Sequence, residues 1–158
     1  MGVDRNFARA FAKAQIGAGI LLPLKGTCFI SVKDRDKAAA IVLAWQLVNL
    51  GFDLVSTSGT AATLQAAGVP VRRVNKVYEG QPHIVDAIIN GDVQMMINTT
   101  ASGAQMIADS FSLRRTGLMR GIPNYTTIPG ARAAIEAIAA LQSGGLEVAS
   151  IQSYLQAS

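Results

Sequence analysis

The chain has 158 residues, enough for one domain, and half of them are apolar; 14 Lys and Arg stand against 10 Asp and Glu. A net charge of +4 without basic runs interleaved with aromatics argues against a nucleic-acid partner and suits a small anionic ligand equally well. The single cysteine, Cys28, supports neither a disulfide framework nor a cysteine metal site, Asp4, Arg5 and Arg9 stand where a signal peptide needs an apolar core, and no apolar run reaches the ~18–20 residues of a membrane span, so a cytoplasmic protein without a membrane segment is expected.

In chain order, Asp4 to Gln15 reads as a helix, because Phe7, Ala10, Phe11 and Ala14 recur at helical spacing. "IGAGILLPLKG" breaks that pattern with glycines and a proline, which marks residues 1–25 as a helix and linker apart from a main domain over 26–158. Gly17 and Gly19 do not make a dinucleotide fingerprint, since Leu22 occupies the third glycine's place and no strand precedes them. "TCFISV" is the first predicted strand, followed by a long helix through "DKAAAIVLAWQLVNLG". "FDLVST" is the second, followed by a helix that ends at Gly68, and "VRRVN" is the third. "PHIVDAIINGD" predicts a helix, "VQMMIN" a fourth strand, "ADSFSLRRTGLMRG" a segment helical in part, and "PNYTTI" a short fifth strand. "GARAAIEAIAALQSG" is helical, and the tail "EVASIQSYLQ" leans the same way.

Alternating strands and helices predict an α/β fold with a parallel sheet. The strands are continuous apolar runs, as burial on both faces requires. A three-layer, doubly wound domain follows, with its ligand site beyond the carboxyl ends of the strands. Those ends share one chemistry. "STSGTAATL" places Ser56, Thr57, Ser58 and Thr60 where the second strand turns into a helix, and capping alone needs only one hydroxyl. The first strand leads to Ser31 and Lys37, the third to Asn75 and Lys76, and the fourth to Asn98, Thr99 and Thr100. Acids are sparse there, Asp34 and Asp36 beside Lys37 being the main exceptions. Hydroxyls, amides, helix N-termini and two lysines on one rim are the inventory of a phosphate pocket. No nucleophile elbow, Gly-Lys-Ser/Thr phosphate loop or metal-ligand cluster accompanies them, and the lone His83 reads as a polar helix-end residue, so no catalytic residue and no metal are assigned. Arg114 and Arg115 either reach an anion or line a solvated face or interface. Arg72 and Arg73 lie in the third strand, and Trp45, Met95 and Met96 read as core.

Several of these segments together resemble a known family. "SVKDRDK", "STSGTAATLQAAGVPVRRVNKVYEGQPHIVDAIINGD", "INTT" and "LRRTGL" resemble the methylglyoxal-synthase-like domain, and more narrowly its version at the carboxyl end of the carbamoyl phosphate synthetase large subunit. The resemblance runs from about Lys25 to the end, and "MGVDRNFARAFAKAQIGAG" resembles the tail of the preceding synthetase region. It implies a five-stranded parallel sheet in the order 3-2-1-4-5, with the switch point between Ser31 and Asn98. It also implies a regulatory domain that binds nucleotide monophosphates, UMP usually as inhibitor and IMP as activator. Their phosphate would be held by Ser31, Lys37, Thr57, Thr60, Lys76, Asn98 and Thr100. Ser58, Thr99, Thr126 and Thr127 are further candidate effector contacts. Thr126 and Thr127 match a family segment for a second effector, ornithine. Some members carry an aspartate just before that pair, where this chain has Tyr125, so an ornithine ammonium would lose a carboxylate partner.

The resemblance further implies a larger ATP-dependent ligase using Mg or Mn and serving pyrimidine and arginine synthesis, with a glutamine amidotransferase small subunit as partner and self-association through this domain. The domain itself would be non-catalytic and without cofactor. Two relatives compete. True methylglyoxal synthases carry a Gly-Gly-Asp loop after the third strand and Trp-Asp-Pro after the fourth, where this chain reads "KVYEG" and "NTT". The IMP cyclohydrolase domain shares the early pattern but continues with a long segment that this chain lacks.

Overall fold

A computed structural model describes residues 1–99, 104–147 and 149–155, and for 104–106 the backbone alone. Five strands form one all-parallel sheet: β1 (Thr27–Ser31), β2 (Asp53–Ser56), β3 (Arg72–Arg73), β4 (Met95–Asn98) and β5 (Asn124–Tyr125), in the order β3-β2-β1-β4-β5. The helices between and around them are α1 (Phe7–Gly17), α2 (Lys37–Asn49), α3 (Ser58–Ala66), α4 (Ile84–Ile89), α5 (Ala104–Met119), α6 (Ile128–Ser143) and α7 (Ile151–Leu155). This is the three-layer, doubly wound arrangement that the alternating pattern predicts.

Each buried strand serves two cores, because successive side chains leave opposite faces of a sheet. Cys28, Ile30, Leu54, Met95 and Ile97 face one way and pack with Ala12 of α1, Leu43 and Leu47 of α2, Leu64 of α3 and Ile135 and Ile138 of α6. Phe29, Val55 and Met96 face the other way, against Ile84 and Ile88 of α4 and Leu113 of α5. Burial pushes the Cys28 thiol pKa far up, which makes it an inert core group.

Residues 1–25 join this packing. Ala12 is fully buried, Leu22 belongs to the same core, and the Tyr125 hydroxyl donates to Gln15 at 3.0 Å. Burial raises the Tyr125 pKa to about 12, which keeps it a neutral donor. Farther out, Lys13 pairs with Asp4 at 2.7 Å and donates to the Tyr154 hydroxyl of α7 at 3.2 Å.

The elements differ from the sequence pattern mainly in length. The third strand shrinks to Arg72–Arg73, both exposed, because it is an edge with a single partner, β2. α5 is a full helix of 16 residues rather than a partial one. Gly51 and Gly68 close α2 and α3 with φ of +92° and +79°, a left-handed conformation that a side chain would oppose. Among the described residues no helix is long and apolar enough to cross a membrane.

Candidate functional site

β1 has β2 on one side and β4 on the other, and the connections leave in opposite directions from there. Ser31 is the register partner of Asn98, and Ile30 that of Ser56, so the exits of the three central strands lie side by side. A cleft of about 250 Å³ opens above them, at the switch point where doubly wound sheets hold ligands.

Seven of the residues singled out in the sequence line this cleft: Ser31, Lys37, Thr57, Thr60, Lys76, Asn98 and Thr99. Ser58, Thr126 and Thr127 are not among its lining residues, and Thr100 lies outside the described residues. Thr127 instead caps α6, its hydroxyl accepting the Gly130 N–H at 3.2 Å, while Thr126 is exposed.

The hydroxyls stitch the strand exits together. Thr60 Oγ1 accepts the Val32 N–H at 3.2 Å and lies 3.4 Å from the Val32 carbonyl as donor. Thr99 Oγ1 accepts the Lys33 N–H at 3.0 Å. Ser31 and Thr57 share a hydrogen bond of 3.1 Å, which uses one of their two hydroxyl protons and leaves the other for a ligand. Thr57 is the residue before α3, yet its side chain makes no capping bond. Among the described residues the first N–H groups of that helix meet no side-chain acceptor, and Gly59 and Thr60 of its first turn line the cleft. Asn98 is nearly buried and donates one amide N–H to Ser110 of α5 at 3.2 Å, leaving the second.

Three lysines supply charge. A Cβ built on Gly59 would lie 3.9 Å from Lys37 Nζ, which puts that ammonium beside the first turn of α3. Lys37 also pairs with Asp34 at 2.8 Å, and this bond holds the Asp34 carboxyl below its usual range. Lys76 Nζ donates to the Tyr78 hydroxyl at 3.2 Å and sits 5.5 Å from that ring's centre. Lys33, the third, lies 3.8 Å from Asp36. Val77, Ile84 and Leu113 form an apolar wall at the same cleft.

Sequence reasoning missed Lys33, Asp109, Ser110 and that apolar wall. Lys33 is two residues past Ser31 in the same exit loop, a proximity that could have flagged it. Asp109, Ser110 and Leu113 needed the full length of α5, whose early turns overhang the site. Of the two acids expected beside Lys37, Asp34 lines the cleft and Asp36 does not, and Asp109 adds a second carboxylate there. Among the described residues no group of three or more His, Cys, Asp or Glu could hold a metal.

Thr60 is 3% exposed, and its hydroxyl accepts the Val32 N–H. Thr60→Val keeps the shape and strands that donor, so unfolding free energy should fall by about 1–3 kcal/mol. A shift of the urea midpoint at constant slope measures it.

A five-stranded parallel sheet in this order, with hydroxyls, amide and lysines converging at its switch point, defines the class: the chain belongs to the MGS-like domain family, whose model matches residues 39–126. Within that class it is similar to the carbamoyl phosphate synthase large chain. It is 52% identical to that of Mesorhizobium japonicum over 154 residues, which cover 98% of this chain and 13% of the relative. It is 48% identical to that of Brucella suis over 156 residues, 99% of this chain and 13% of the relative. It is 55% identical to that of Pseudomonas aeruginosa over 138 residues, 87% of this chain and 13% of the relative. The chain thus spans only about an eighth of the length of these curated relatives.

Proposed function

We propose that the chain is the carboxyl-terminal allosteric domain of a carbamoyl phosphate synthase large chain, binding nucleotide monophosphates such as UMP and IMP to control carbamoyl phosphate synthesis. The supporting observation is the convergence of Ser31, Thr57, Thr60, Asn98, Lys37 and Lys76 on one cleft beside the uncapped start of α3. Hydroxyl and amide donors, free helix N–H groups and ammonium groups together suit a phosphate monoester. The apolar wall of Val77, Ile84 and Leu113 suits the flat face of a base.

In this reading ATP and its Mg or Mn belong to the synthetase region, and residues 1–25 are that region's tail. A glutamine amidotransferase small subunit and copies of the large chain are the partners, in the cytoplasm. Ornithine is a weaker candidate, because Tyr125 spends its hydroxyl on Gln15 and offers no negative charge.

A second reading, a methylglyoxal synthase-type lyase, draws on Asp34 and Asp109 at the cleft. Asp34 is a poor base, being held ionised by Lys37. Calorimetric titration of the chain with UMP, IMP and uridine, beside an assay for methylglyoxal from dihydroxyacetone phosphate, separates the readings. UMP or IMP should bind well over tenfold more tightly than uridine, since several charge-assisted bonds of about 1.5–3 kcal/mol are lost with the phosphate. Equal affinity for UMP and uridine would remove the phosphate as anchor, and turnover lost on substituting Asp109 would establish the lyase.

A further inference from the structure

Two of the three cleft lysines have weakly competing partners. Lys76 is held by the neutral hydroxyl of Tyr78, and the partner of Lys33, Asp36, is 3.8 Å away and does not line the cleft. Lys37 differs. Its partner Asp34 is an anion, lies at 2.8 Å and lines the same cleft. A 3-10 turn over Asp34–Asp36 holds the two at spacing i, i+3, which that turn brings into line.

We infer that Asp34 is an internal competitor for the phosphate site, a carboxylate that occupies Lys37 until a more highly charged ligand displaces it. The inference rests on reading the cleft as a phosphate site. The Asp34 side chain is 95% exposed, so its pair with Lys37 is worth little and exchanges readily. A phosphate monoester brings close to two negative charges near neutral pH and outbids a single carboxylate. A monoanion only matches it. Asp34 therefore sets a charge threshold, and its removal raises affinity instead of lowering it.

The test is titration of parent chain, Asp34→Asn and Asp53→Asn with UMP, inorganic phosphate and uridine. Asp53 is exposed at the opposite, amino end of the sheet, so Asp53→Asn makes the same change of net charge away from the cleft. Asp34→Asn should bind UMP and phosphate about two- to fivefold more tightly than the parent, the range an exposed ion pair allows. Uridine affinity should not change, Asp53→Asn should behave as the parent, and the gain should vanish in a Lys37→Ala background. Unchanged or weaker UMP binding by Asp34→Asn, with a parent that binds, overturns the competitor alone. A parent that binds neither UMP nor phosphate overturns the site reading and the competitor with it.

Discussion

Replacing Lys37 or Lys76 with alanine should weaken UMP and IMP binding by about 1.5–3 kcal/mol, roughly tenfold to more than a hundredfold, with folding nearly untouched. The two ammonium groups reach the cleft from different places. Lys37 opens α2 and lies beside the start of α3, whereas Lys76 follows the edge strand and lies beside Tyr78. A phosphate between them meets two point charges and a set of donors already held by backbone and hydroxyl bonds. Each loss removes a charge-assisted contact. Stability should barely respond, because the partner of Lys37 is an exposed carboxylate and that of Lys76 an exposed phenol. Isothermal titration beside thermal unfolding separates the two effects. Arg115→Ala is the control, since Arg115 is exposed on α5 and does not line the cleft. Normal binding by both lysine variants together with loss in Arg115→Ala would place the anion site elsewhere.

Phe29→Ala should cost about 3–5 kcal/mol of unfolding free energy, a large share of the roughly 5–15 kcal/mol of an ordinary domain. Phe29 is fully buried on β1 and is the bulkiest side chain of the core beneath α4 and α5. Parallel strands fix the surrounding backbone, so the vacated space collapses poorly and the cavity cost adds to the lost transfer energy. Ile84 and Leu113 belong to that core and also wall the cleft, so nucleotide affinity should drop with stability. Urea denaturation at constant slope measures the first effect, and a loss below about 1 kcal/mol would contradict a close-packed layer there.

The fold was legible because its strands are short apolar runs punctuated by glycines, the pattern that a two-faced parallel sheet imposes. Gly51 and Gly68 announced the helix ends that their left-handed conformations now explain. Strand order was not in the periodicity. It followed from family resemblance, since a run such as "TCFISV" reads the same in the centre or at the edge of a sheet. At the site, residue types at strand ends pointed to Ser31, Thr57, Thr60, Asn98 and the lysines. Their partners were hidden. Whether Lys37 meets Asp34 or Asp36 depends on a single 3-10 turn, and the hydroxyl of Thr60 turned out to serve the Val32 backbone. Asp109 and Ser110 were hidden by distance, because only the length of α5 brings them over the exits of strands far earlier in the chain.

The position of β1 has a practical side for anyone trimming the gene. The stretch that family comparison singles out begins at residue 39, after β1 has ended, and closes at 126, before α6 begins. Expression boundaries drawn there would cut away the one strand that bonds to both β2 and β4. What remained would be two two-stranded ribbons with nothing between them, each presenting a raw inner edge to other copies. It would also lack Ser31 and, in Lys33 and Lys37, two of the three lysines of the cleft. A durable working piece keeps the residues on both sides of the recognisable motif, because the centre of the sheet is supplied from outside it.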